Sequence, residues 1–225
     1  MRETKRIAIC KIGSDHIFSD KNNQDFCISL PNVKIVLDGC GSSRFSDVGV
    51  RLFGQLLINQ LENFNCETFE KTVDEIFVKL ISINNIESFL FENLCFTILA
   101  CFETEEEYIV FTCGDGYILI QEEKDISLIK LDDGEYPKYY IYNYVENKDS
   151  LKEYKEGVSF SVTRFNKSEY ANIGVATDGF RFYEGLGNFE KNKLFELLSE
   201  GKKAQIGMLI NRNNLIFKDD VTICF

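Results

Sequence analysis

The residues of this 225-residue chain best suited to chemistry are aspartates at the ends of apolar runs. Asp38 follows the run 33–37 and leads into Gly39-Cys40-Gly41-Ser42-Ser43. Asp178 follows the run 173–177 and precedes Gly179, and Asp115 sits in the turn Gly114-Asp115-Gly116. Asp219 stands just before the closing run 221–225, and Asp25 lies near the start of the run 24–30. A carboxylate at a strand end, beside a backbone carbonyl that glycine leaves accessible, suits a hard cation such as Mg²⁺ or Mn²⁺. Any one Asp-Gly pair is most often only a turn. Five such positions are different if their strand ends meet at one rim, because crowded carboxylates repel and need cations between them. Two divalent ions bridged by an aspartate would satisfy them and clamp a water for attack on phosphorus.

The elements that must position these residues read from hydrophobic period. Alternating or continuous apolar runs predict strands over 6–12, 24–30, 33–37, 94–102, 108–113, 117–121, 158–162, 173–177 and 221–225. Residues 13–23 are polar, hold the single histidine, His16, and read as a loop. Helical spacing predicts helices over 47–63 and 69–89, a third with Phe189, Leu194, Leu197 and Leu198 on one face, and a fourth over 204–210. Residues 131–156 are the least regular. Tyr136, Tyr139, Tyr140, Tyr142 and Tyr144 cluster there, and the alternation of Tyr140, Tyr142 and Tyr144 suits an exposed strand or hairpin, either surface packing or a substrate-facing flap. With no repeat, low-complexity tract or linker, the expectation is one domain over 1–225. Its fold class is α+β: a four-layer α/β/β/α sandwich of two mainly antiparallel sheets flanked by helices.

Composition narrows the function. A chain of this length with 44% hydrophobic residues can bury a core without disulfides. A net charge of −11 argues against nucleic acid or an anionic membrane as partner, since both need clustered Lys and Arg. No apolar run reaches membrane-spanning length, and the N-terminal residues lack the apolar core of a signal peptide. Of eight cysteines, Cys27, Cys95, Cys101, Cys113 and Cys224 fall inside strand-like runs, and no Cys-x-x-Cys pair suggests zinc. They read as reduced core residues of a cytoplasmic protein. Cys40 is the exception, in a loop; a nucleophile there would need a basic neighbour, and Arg44 is the near candidate.

The ordered set Asn23-Gln24-Asp25, Asp38-Gly39-Cys40-Gly41-Ser42, Gly114-Asp115-Gly116, Thr177-Asp178-Gly179 and Asp219-Asp220-Val221-Thr222 resembles the protein phosphatase 2C family of metal-dependent serine/threonine phosphatases. The spacing of the blocks fits over essentially the whole chain. The resemblance is nearest to a compact bacterial branch, with Asp-Gly-x-Gly-Ser and with Gly13-Ser14-Asp15-His16 before the first acidic block. It implies that Asp38 bridges two Mg²⁺ or Mn²⁺ ions, with the Gly39 carbonyl on one of them, and that Asp178 and Asp219 complete the centre. Asp25 would act there directly or through water, and Asp115 matches the position of a third, weaker site. The implied reaction is attack of a metal-activated water on a phosphoserine or phosphothreonine of a protein substrate, without a phosphoenzyme.

Three positions depart from the family pattern. Where commoner members carry a phosphate-gripping arginine, this chain has Asp20, with Lys21 beside it. Lys21 or His16 is then the candidate to bind phosphate, Lys as a point charge rather than a fork. Where some relatives have a histidine after the first Asp-Gly, this chain has Cys40, which leaves His16 as the candidate leaving-group acid. Cys95-Phe96-Thr97 replaces the usual Gly-Thr-Thr, which reads as a packing change. The missing arginine keeps a second class open, a pseudophosphatase that binds a phosphoprotein or partner without turnover. A hydrolase of small phosphate esters is compatible with the same aspartates.

Overall fold

The computed structural model describes residues 6–60, 65–131, 134 and 137–225. Among the described residues the strands form two five-stranded antiparallel sheets. The first sheet holds β1 (Ala8–Lys11), β6 (Gly116–Glu122), β7 (Asp125–Leu131), β9 (Asn172–Ala176) and β10 (Val221–Cys224), in the order β1-β10-β9-β6-β7. The second holds β2 (Asp25–Leu30), β3 (Val33–Gly39), β4 (Phe96–Glu103), β5 (Glu107–Cys113) and β8 (Ser161–Asn166), in the order β2-β3-β4-β5-β8.

Strand alternation sorts the apolar residues into three buried layers. Val36 of β3, Leu99 and Cys101 of β4, Val110 of β5, Ile118 of β6, Val175 of β9 and Cys224 of β10 meet between the sheets. Their neighbours Ile35, Leu37, Ile98 and Ala100 face outward, onto Val50, Phe53 and Leu57 of α2 (Ser46–Ile58) and Val73, Ile76 and Phe77 of α3 (Phe69–Ile83). On the far side Val221 and Ile223 pack with Leu194, Leu197 and Leu198 of α5 (Asn188–Ser199) and Ile206 and Leu209 of α6 (Lys203–Arg212). The layering is α/β/β/α, as the sequence pattern implies. A charged side chain enters the middle layer: Lys34 of β3 donates to Asn172 Oδ1 (2.5 Å) and to the Ile173 carbonyl (2.6 Å) of β9, so it joins the two sheets. No helix among the described residues is long and apolar enough to cross a membrane.

Several expectations change. Residues 13–23 are not all loop, because Ser14–Phe18 forms the short helix α1. The long second helix is two helices, α3 and α4 (Glu87–Asn93), broken where Asn84 is extended and its Oδ1 accepts from the Ile86 amide. The strand expected over 158–162 starts later, at Ser161, and Phe160 instead fills the helix-side core. Phe189 is 78% exposed and leaves the apolar face of α5 to its leucines. Tyr140–Tyr144 is a 3₁₀ helix, not a strand. Tyr140 and Tyr144 both pack on Phe77, at ring distances of 5.3 and 6.0 Å, while Tyr142 turns to Tyr154 at 5.6 Å. Tyr136 lies outside the described residues. All eight cysteines are free; Cys95, Cys101, Cys113 and Cys224 are buried as expected, whereas Cys27 is only half-buried.

Candidate metal centre

Strand direction and register bring the aspartates to one rim. Asp25 opens β2 and pairs across the ladder with Asp38 near the end of β3, and Asp38 pairs in turn with Thr97 at the start of β4. At the same end β5 turns through Gly114-Asp115 into β6, whose second residue, Tyr117, pairs with Ala176 at the end of β9. Asp178 follows β9 at the start of a 3₁₀ helix (Asp178–Gly185), and Asp219 leads into β10, which lies beside β9. The turn into β6 depends on glycine: Gly114 and Gly116 have φ of +109° and +140°, and a Cβ on Gly114 would come within 2.4 Å of Thr97. Gly179 is equally constrained, since a Cβ there would meet the Asp220 carbonyl at 1.8 Å.

Asp38, Gly39, Asp115, Asp178 and Asp219 line one polar cavity of about 100 Å³, together with Cys40, Gly41, Thr97, Pro137 and Tyr139. Asp25 lies behind this lining, 2% exposed. Its Oδ2 accepts from Thr177 Oγ1 at 3.0 Å, while the buried Oδ1 has no hydrogen-bond partner. Loss of water pushes the Asp38 carboxyl well above the usual range, and the charges of Asp25, Asp178, Asp219 and Asp115 push it further. Asp25 is raised by burial and by the charge of Asp220, against the hydrogen bond from Thr177; Asp219 is raised by burial and by Asp178.

His16 and Lys21 stand near this centre without lining it. His16 is 8% exposed, with Nδ1 2.9 Å from Asp220 Oδ2 and Nε2 3.9 Å from Asp219 Oδ1. Its pKa is raised, chiefly by the Asp220 carboxylate beside Nδ1, against the opposing effect of burial. Lys21 donates from Nζ to the Gly41 carbonyl at 2.8 Å, at the rim of the loop after Asp38. Cys40 does line the cavity. Burial raises its thiol pKa, but the polar groups around it, with Ser42 Oγ 3.1 Å from Sγ, outweigh burial and lower it. Arg44 meanwhile stacks on the Phe45 ring at 5.0 Å.

Other residues, to which the sequence reading gave no role, hold the site together. Asp220 accepts from the Gly13 amide (2.8 Å) and the Gln24 amide (2.5 Å), tying the approach to β10 to those of α1 and β2. Gln24 Nε2 donates to Ser46 Oγ at 2.6 Å, which fixes the start of α2. Thr177 Oγ1 also accepts from the Thr222 amide at 3.0 Å. Asp220, Gln24, Thr177 and Thr222 sit inside the motif blocks, so their position was legible although their bonds were not. Arg181 lay outside every block: its Nη1 is 2.5 Å from Asp178 Oδ2 and its Nη2 3.7 Å from Asp219 Oδ2.

Among the described residues no group of three or more His, Cys, Asp or Glu side chains is gathered as a ready-made metal cage. The lining carboxylates instead stand around a cavity, with Arg181 against two of them. Their chemistry fits a hard divalent cation. The donors are carboxylate oxygens next to a glycine backbone, one buried carboxylate oxygen has no partner, and the crowding is the kind that cations relieve.

The model of the protein phosphatase 2C family matches residues 12–204, and the chain belongs to that family. Solved structures share the fold at low identity. A bacterial serine phosphatase matches at TM-score 0.67 and 15% identity, over 99% of this chain and 96% of that one. Serine/threonine phosphatase Stp1 from Staphylococcus aureus matches at 0.66 and 14%, over 98% and 93%. The Mycobacterium tuberculosis serine/threonine phosphatase PstP/Ppp matches at 0.63 and 13%, over 97% and 96%. No curated protein matches the chain.

Proposed function

We propose that this chain is, as one domain, a metal-dependent phosphoprotein phosphatase that hydrolyses phosphoserine and phosphothreonine in the cytoplasm. The observation that carries the reading is the convergence of Asp38, Asp115, Asp178 and Asp219 on one small cavity, with Asp25 buried behind them. Asp38, Asp178, Asp219 and the Gly39 carbonyl would hold two Mg²⁺ or Mn²⁺ ions, with Asp25 acting from behind and Asp115 serving a third, weaker site. When bound, such ions activate a water and neutralise the phosphate charge for in-line displacement.

The chain's own residues do the rest. The β2–β3–β4 ladder fixes the backbone of Asp38 and so holds its carboxylate at the rim. Asp220 holds His16, and His16 in turn braces Asp219 from the protein side. Lys21, at the rim of the Gly41 loop, adds positive charge where a phosphate would enter.

Phosphate release from phosphothreonine and phosphoserine peptides, compared with a small aryl phosphate, tests this. Release in Mn²⁺ or Mg²⁺, its loss in EDTA, and faster turnover of the peptides are expected. A folded protein that binds phosphopeptide in Mn²⁺ without releasing phosphate would overturn the reading in favour of a binding module. Preference for the small ester would overturn the protein-substrate part.

A further inference from the structure

The cavity described above has an electrostatic problem that its lining does not solve. A phosphate ester approaching Asp38, Asp115, Asp178 and Asp219 is repelled unless cations intervene, and it also needs donors of its own. At the position where the family resemblance places a phosphate-gripping arginine, this chain has Asp20, in a left-handed conformation (φ 56°). An aspartate offers a phosphate no donor. The neighbouring Lys21 already donates to the Gly41 carbonyl, and His16 is buried behind Asp219.

Arg181 stands on the other side of the centre. It lies three residues after Asp178 on the same 3₁₀ helix, and its guanidinium spans Asp178 and Asp219, both of which line the cavity. The side chain is 48% exposed, so the fork is reachable from solvent at the cavity edge. Its Cζ sits 4.9 Å over the Phe182 ring, which restrains the plane of the fork. Once divalent cations take up the charge of Asp178 and Asp219, the guanidinium loses its anionic partners at the edge of the cavity. A phosphate dianion is then its natural partner, and a planar fork meets two phosphate oxygens at once where an ammonium meets one.

We propose that Arg181 is the phosphate-binding residue of this site, in place of the arginine absent at Asp20. The proposal rests on the metal-dependent reading above, and its test is therefore a binding measurement separate from turnover. Inorganic phosphate is titrated by calorimetry into the Mn²⁺-loaded full chain, for wild type, Arg181→Ala, Arg181→Lys and Lys21→Ala, with Mn²⁺ affinity measured on each. Loss of a charge-assisted, two-point contact should weaken phosphate by roughly 10- to 100-fold in Arg181→Ala. Arg181→Lys should recover only part of the loss, and Lys21→Ala should lose less than Arg181→Ala. Mn²⁺ should bind Arg181→Ala at least as tightly as wild type, since a competing cation has gone.

Phosphate affinity within about twofold of wild type in Arg181→Ala overturns the proposal and leaves Arg181 a counter-ion of the carboxylates. So does a larger loss in Lys21→Ala than in Arg181→Ala, or a wild type that binds no phosphate. A melting curve on each variant identifies unfolding, and because Arg181→Lys keeps the charge, its partial recovery decides the case if the alanine variant unfolds. Absence of phosphopeptide turnover in the wild type would count against the catalytic reading, while these affinities still report on Arg181.

Discussion

Replacing Asp38 with asparagine should make the protein more stable without metal and less stable with it. In the β2–β3 register Asp38 faces Asp25 directly. Opposed residues place their Cβ atoms ~4.5–5.5 Å apart. Two unit charges about 5 Å apart repel by roughly 3 kcal/mol at an effective dielectric of about 20. Proton uptake removes part of that cost, since the Asp38 carboxyl is pushed well above the usual range by loss of water and then by Asp25. Asp38→Asn should therefore recover about 1–2 kcal/mol in EDTA. For a chain of this length each kcal/mol moves the melting temperature by roughly 2–4 °C, which predicts an upward shift of about 2–8 °C. Mn²⁺ at a hundred times its dissociation constant stabilises the wild type by about 2.7 kcal/mol. The variant, lacking the carboxylate proposed to bridge the ions, should forfeit that gain. Differential scanning fluorimetry in EDTA and in Mn²⁺ should show the two proteins changing rank. A variant that melts lower than wild type in EDTA, or that gains as much from Mn²⁺, would refute the reasoning.

Three further perturbations probe the scaffold. Gly179→Ala drives a Cβ to 1.8 Å from the Asp220 carbonyl and should cost about 1–3 kcal/mol in urea denaturation, with weaker Mn²⁺ binding because Asp178 and Asp219 flank the clash. Phe53→Ala removes a fully buried ring in contact with Phe77 (5.2 Å) and Phe96 (5.1 Å) and should cost about 3–5 kcal/mol by the same assay, leaving Mn²⁺ affinity unchanged. Lys34 should give a pH signature. Burial lowers its pKa in the folded protein, so the folded state binds fewer protons than the unfolded state between that lowered value and the ordinary ~10.4. Wild-type stability relative to Lys34→Met should accordingly rise with pH through that window, and a flat difference between neutral pH and pH 10 would contradict the placement.

Much of the fold was legible because each strand of the sandwich is covered on one or both faces, and burial imposes period on sequence. β3 and β4 are covered on both faces and read as continuous apolar runs. β8 was misplaced because it is an edge strand whose residues are mostly exposed, while the apolar signal just before it belongs to Phe160 in another layer. Tyr140, Tyr142 and Tyr144 alternate like a strand, yet a 3₁₀ turn sends Tyr140 and Tyr144 one way and Tyr142 another; a two-residue period cannot be told from a helical one in five residues. The aspartates were legible because they stand at strand ends, and Asp38, Asp115 and Asp178 each precede a glycine. Arg181 was not, because a single arginine after a motif carries no period and acquires its partners only when Asp178 and Asp219 are brought together.

The proposed binuclear centre is tested most directly by anomalous diffraction at the manganese edge from crystals of the Mn²⁺-loaded protein. Two strong peaks flanking Asp38, one of them within bonding distance of the Gly39 carbonyl, with Asp178 and Asp219 completing the centre, are expected. A map with no peak in this cavity at saturating Mn²⁺, with Arg181 still bridging Asp178 and Asp219, would contradict it.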